Sequence, residues 1–136
     1  PRSTPKPSSA ASDVYKRQLL FTIQFFPNYL LGHHSFTAEF TAEKTIIIEG
    51  VIKEVWFRNP HVRYLLEVSN ENETEIWDLR GSPVVWLARK GWRRDSINIG
   101  DQISVYGFPG HQEKKILSII EVTLSDGSKL IDKAPS

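Results

Sequence analysis

The stretch that most limits how this chain can fold is residues 45–57, TIIIEGVIKEVWF. Its β-branched and aromatic side chains suit a pleated, half-buried surface. Gly50 sits at its centre, where a sharply bent strand needs a residue without a Cβ. The run therefore predicts one long, kinked first strand, the kind of wall from which a small barrel is built.

The remaining elements follow in order. Arg58-Asn59-Pro60 closes the first strand, and residues 61–69 alternate with Val62, Tyr64, Leu66 and Val68 on one face. Asn70-Glu71-Asn72-Glu73 is a polar turn. Residues 74–80 form a third strand, with Trp77 and Leu79 together and Ile76 opposite. A short helix comes next: Ser82 as cap, Pro83 at the first position, Val84, Leu87 and Ala88 inward, and Gly91 at the end. Residues 102–106 are a fourth strand, Phe108-Pro109-Gly110 a loop, and residues 115–124 a fifth strand with Ile116, Ile120, Val122 and Leu124 in phase. Asp126-Gly127 marks a tight turn before a tail at residues 131–136. The fold class is all-β with one short helix, and the helix between strands 3 and 4 matches a five-stranded OB-like barrel over residues 33–130. A small open sandwich with a peripheral helix is the rival.

The N-terminus reads differently. Residues 1–12 are rich in Pro and Ser, and DVYKRQ at 13–18 resembles an in-frame translation of a sequencing adapter, so residues 1–18 are expected to be a disordered artefact. Residues 19–32 carry no charge, too short a run to span a bilayer as a helix but suited to the apolar part of a secretory signal, with cleavage after Gly32. A short helix or strand packed on the barrel is the alternative for this run. Export to the periplasm agrees with the absence of cysteine, which also excludes disulfides and thiolate metal sites. The formal charge of +1 misleads, because Arg2, Lys6, Lys16 and Arg17 against Asp13 load the start with cations; the other 118 residues hold 13 basic and 15 acidic side chains, a net of −2. That balance argues against a general nucleic-acid binder.

Four separated motifs resemble a known family: HHSFTAEF at 33–40, EGVIKEVWFRNPHV at 49–62, GSPVVWLARKGWRRDSINIGDQISVYG at 81–107 and VTLSDGSKL at 122–130. The chain resembles the bacterial domain-of-unknown-function family 6152, small proteins with a secretion signal. The resemblance implies an exported β-rich domain and supplies no activity. Tyr29-Leu30-Leu31-Gly32 stands where such a signal would be expected to end in small residues.

Three groups of residues are candidates for chemistry. His33, His34 and His61 fall at element boundaries, and a free amine beside an imidazole chelates copper or zinc, so a metal site at the mature N-terminus is chemically sound. No CxxC or HExxH spacing supports it, and a polar terminus with a turn histidine is the plainer reading. Trp56, Arg58, Asn59 and Arg63 define a candidate binding face, on which an outward tryptophan can stack on sugars or bases; Tyr64 and Trp77 share the apolar phase and read as core. Arg89, Lys90, Arg93 and Arg94 surround the helix end, either complementing its dipole or contacting an anion or lipid headgroup, and Trp86 or Trp92 beside them is a candidate partner anchor. No GxSxG or paired-carboxylate pattern points to an enzyme. The expectation is a non-enzymatic exported binding module, with copper or zinc at the histidines favoured and a protein or glycan partner on the barrel face as the alternative. No transmembrane span is expected.

Overall fold

Long β-branched runs broken by polar turns leave the chain little choice but a sheet. The computed structural model describes residues 36–133. Its strands are β1 (Ile46–Trp56), β2 (Arg63–Ser69), β3 (Thr74–Arg80), β4 (Gln102–Pro109), β5 (Ile116–Thr123) and β6 (Lys129–Ile131), with helix α1 (Val84–Arg89) between β3 and β4 and a 3-10 turn, His111–Glu113, between β4 and β5. The sheet order is β3-β2-β1-β4-β5-β6, and a further β3–β5 pairing closes the first five strands into a barrel. All neighbours run antiparallel except β3 and β5, which are parallel. This is the five-stranded barrel with an interposed helix that the element order predicts.

β1 serves two partners. Ile46–Val51 pair with β4 and Val51–Trp56 with β2, with a register shift between Ile52 and Glu54. At the crossover stands Gly50, where a Cβ would lie 2.1 Å from the main-chain oxygen of Glu67. The strand can turn there only because nothing projects. Gly107 repeats the device on β4: a Cβ would meet the Ser118 oxygen at 2.2 Å, next to the register shift between Tyr106 and Gly107.

Inside the barrel pack Ile52, Tyr64, Leu66, Trp77, Leu79, Ile103, Val105, Leu117, Ile119 and Val122. Tyr64 and Trp77 are thus core. α1 inserts Leu87, followed by Trp92 and Ile97 from the turn beyond it. Ala88, expected to face inward, is exposed. A helix of six residues has room for one inward position, and the apolar plug is completed by the chain after it. Gly91, at φ +91°, makes the turn that returns Trp92 to the interior.

Three further expectations are corrected. β4 runs through Phe108 to Pro109 rather than ending in a loop, and Gly110 bridges Phe40. Ser82 does not cap α1: its hydroxyl and N–H donate to the carboxylate of Asp132, at 2.5 and 2.9 Å. The residues after Leu130, read from sequence as a tail, include Ile131 in β6 and the wholly buried Asp132. The Asp132 N–H donates to the Ile120 oxygen, and Lys90 Nζ donates to the Asp132 main-chain oxygen. The expectations for residues 1–32, and for His33 and His34, lie outside the described residues.

Candidate functional site

The hairpin register builds a site on the outer wall. Trp56 of β1 stands opposite Arg63 of β2, and Arg63 opposite Arg80 of β3, so three strands contribute one row of side chains. Alternation along each strand turns this row away from the core. The Arg63 guanidinium lies over the Trp56 ring at 4.8 Å from its centroid.

Asp78, two residue pairs farther along and so on the same face, anchors the cations. Arg63 donates to both its carboxylate oxygens, at 3.1 and 2.7 Å, and Arg80 Nε donates to one of them at 3.2 Å. Arg80 Nη1 also donates to Glu39 at 2.7 Å. The paired bond from Asp78 raises the Arg63 pKa above its ordinary value, against the opposing effect of partial burial. Both guanidiniums are therefore fixed in place by the Asp78 carboxylate, with their outer edges toward solvent.

The β1–β2 loop supplies the second wall. Arg58, Asn59, Pro60 and His61 join Trp56, Arg63 and Arg80 around a hollow of about 450 Å³. Asn59 Oδ1 accepts the Val84 N–H at 3.1 Å, which ties this loop to the start of α1. Arg58 is exposed and enters no ion pair among the described residues. With Arg63 and Arg80 set against Asp78 and Glu39, Arg58 leaves the hollow one positive charge in excess.

The four residues assigned from sequence to a binding face, Trp56, Arg58, Asn59 and Arg63, thus line one hollow. Arg80 and its anchor Asp78 were missed. Their signal was available: a turn at residues 70–73 sets a hairpin register in which position 80 faces position 63. Of the proposed metal ligands only His61 falls among the described residues; it is exposed on the rim, and no group of three or more His, Cys, Asp or Glu side chains able to hold a metal occurs among those residues. Arg89, Lys90, Arg93 and Arg94 surround the end of α1 and do not line the hollow. Lys90 is committed to Asp132, whereas Arg89, Arg93 and Arg94 are exposed. Trp86 is exposed and Trp92 buried, with the Trp92 indole N–H donating to the Ile131 oxygen at 3.0 Å.

A second hollow, of about 580 Å³, lies at the β4–β5 connection and includes Lys44, Trp77, His111 and Lys115 in its lining. Lys115 covers one face of Trp77 and pairs with Glu75 at 3.2 Å. No helix among the described residues is long and apolar enough to cross a membrane.

Fold and site together define a small closed OB-type barrel with a cationic, aromatic hollow on its β1–β2–β3 wall. The sequence matches the family of unknown function DUF6152 over residues 28–117, and the chain belongs to that family. The matched span contains every residue of the hollow. A comparison with curated proteins finds no significant match.

Proposed function

We propose that this chain is an exported, non-enzymatic binding module whose hollow takes an acidic, extended ligand. The observation that carries the reading is the row Trp56–Arg63–Arg80 beside the unpaired Arg58: two guanidiniums held in fixed orientation by Asp78 and a third free to close on an anion. The site lies where OB barrels receive their ligands, between the β1–β2 loop and the outer face of strands 2 and 3. Guanidiniums hold charge and direct paired hydrogen bonds but do not exchange protons near neutral pH, so the lining favours recognition over acid–base chemistry. The copper or zinc reading depends on His33 and His34, outside the described residues, and the barrel wall supplies the firmer basis. Export is supported by the uncharged run at residues 19–32.

The ligand chemistry is a carboxylate on an extended chain, from an acidic peptide or an acidic sugar. Titration of the protein with poly-glutamate, polygalacturonate and neutral dextran, followed by calorimetry and tryptophan emission, tests it. The acidic polymers are expected to bind and dextran to be ignored. Arg58→Ala should weaken binding by about tenfold or more, the scale of one lost charged hydrogen bond. Trp56→Phe should remove most of the emission change. Equal affinity of Arg58→Ala and wild type, or a preference for dextran, would overturn the assignment.

A further inference from the structure

A second surface, built from residues that do not line the hollow, combines exposed apolar groups with free cations. α1 presents Val85 and Trp86 to solvent, 54% and 56% exposed. Two tryptophans six positions apart have opposite fates: Trp92 is sealed in the core while Trp86 is out. This exposure is not fraying. α1 is pinned at its start by Asn59, and just beyond its end by Lys90 on the Asp132 oxygen and by Trp92 on the Ile131 oxygen.

The cations are placed by the same turn. Arg89 reaches over the Trp86 ring, 5.8 Å from its centroid. Gly91 then swings the chain so that Trp92 enters the core and Arg93 and Arg94 stay exposed. Arg89, Arg93 and Arg94 enter no ion pair among the described residues, and Asp95 is the sole acid between Val84 and Ser96. An indole with a guanidinium on its face, followed just past the turn by two more exposed arginines, suits a boundary that is apolar on one side and anionic on the other.

We infer that the face formed by Val85, Trp86, Arg89, Arg93 and Arg94 docks on an anionic lipid bilayer, with Trp86 at headgroup depth and the arginines on lipid phosphates. Charge complementarity argues for this occupant. A headgroup layer needs no register, only a rigid apolar tip ringed by positive charge. The inference is independent of the ligand in the hollow, because Arg58, Arg63 and Arg80 take no part in it.

Co-sedimentation of the full chain with vesicles of phosphatidylcholine, alone or with about one third phosphatidylglycerol, tests the inference, with Trp86→Ser and the double variant Arg93→Glu/Arg94→Glu beside wild type. Wild type is expected to partition onto the anionic vesicles, less so as salt is raised, with a blue shift of tryptophan emission that Trp86→Phe abolishes. The charge reversal or Trp86→Ser should lower partitioning by about tenfold or more. Arg58→Ala should leave it unchanged. These positions are exposed, so the variants are expected to keep the wild-type circular dichroism and thermal midpoint. Equal partitioning of wild type and variants would place membrane binding elsewhere in the chain and overturn the inference, as would failure of wild type to bind anionic vesicles. Binding of poly-glutamate that the same variants abolish, with vesicles ignored, would assign the face to an acidic protein instead.

Discussion

Tyr64 carries a hydroxyl into the barrel interior, where it is 1% exposed and has no hydrogen-bond partner among the described residues. Burial raises its pKa well above the ordinary value, and the negative charge of Asp132 raises it further. The consequence for stability has a definite sign. An unfolded tyrosine loses its proton near pH 10, while folded Tyr64 keeps it, so stability from this group is full below about pH 10 and falls as pH rises through the folded value, by at most about 1.4 kcal/mol per pH unit. Lys133 works in the opposite sense. Burial lowers its pKa, Asp132 opposes that shift and Lys90 adds to it. Between its depressed value and the ordinary lysine range the unfolded chain binds the extra proton, and stability climbs with pH. Tyr64→Phe keeps the ring and removes the unpaired polar atom. Urea unfolding of the variant is expected to show stability equal to wild type or higher by about 1 kcal/mol at neutral pH, and a difference from wild type that widens above about pH 10. A loss of 2 kcal/mol or more at neutral pH, on the scale of a broken buried hydrogen bond, would show that the hydroxyl is engaged.

α1, with six residues, is too short to persist alone, and its first N–H groups need acceptors from elsewhere. Asn59 supplies one across 25 positions of sequence. Asn59→Ala should lower stability by about 1 kcal/mol in urea unfolding, whereas Asn59→Asp keeps a capping oxygen and should lose little. In the hollow the order reverses. The added carboxylate of Asn59→Asp cancels the excess positive charge, so it should bind poly-glutamate more weakly than Asn59→Ala does, and a matching order in both assays would show that Asn59 acts on the hollow only through folding. This element also shows what a linear reading reaches. The strand at residues 74–80 was legible to the residue because turn chemistry brackets it and its alternation is clean. Gly50 revealed the bend because only a bare backbone fits beneath the Glu67 carbonyl. Ser82 misled, since a serine before a proline has the chemistry of a cap, and nothing nearby announces that Asp132, 50 positions on, claims its hydroxyl. Phe108-Pro109-Gly110 misled likewise. It has turn composition, yet Phe108 and Pro109 pair with Ser118 and Leu117, and the strand continues. In the hollow, strand phase placed Trp56 and Arg63 outward, but Arg80 comes into view only when two strands are set side by side.

Across the whole molecule the barrel is joined unevenly. β2 and β3 share seven residue pairs, while the closing β3–β5 seam has three, Asp78–Ile116, Leu79–Leu117 and Arg80–Ser118, extended by the Asp78 N–H bond to the Lys115 oxygen at 2.9 Å. A short parallel seam is the natural place for the cylinder to part before it unfolds. Native-state hydrogen exchange reads this within one strand. The Asp78 N–H points to β5, and by alternation those of Trp77 and Leu79 point to β2. At low denaturant Asp78 is expected to exchange through an opening of lower free energy than its two neighbours; equal values for all three would mean that the barrel opens only by unfolding throughout. Arg80 belongs to both the seam and the hollow, which ties closure to recognition. A ligand slows every opening that disrupts its site and leaves the others unchanged. If the seam opening displaces Arg80, saturating poly-glutamate should slow Asp78 along with Trp77 and Leu79. If the hollow survives with the seam apart, Asp78 exchange should be unmoved, and Trp56, Arg58 and Arg63 then suffice to hold the acidic chain.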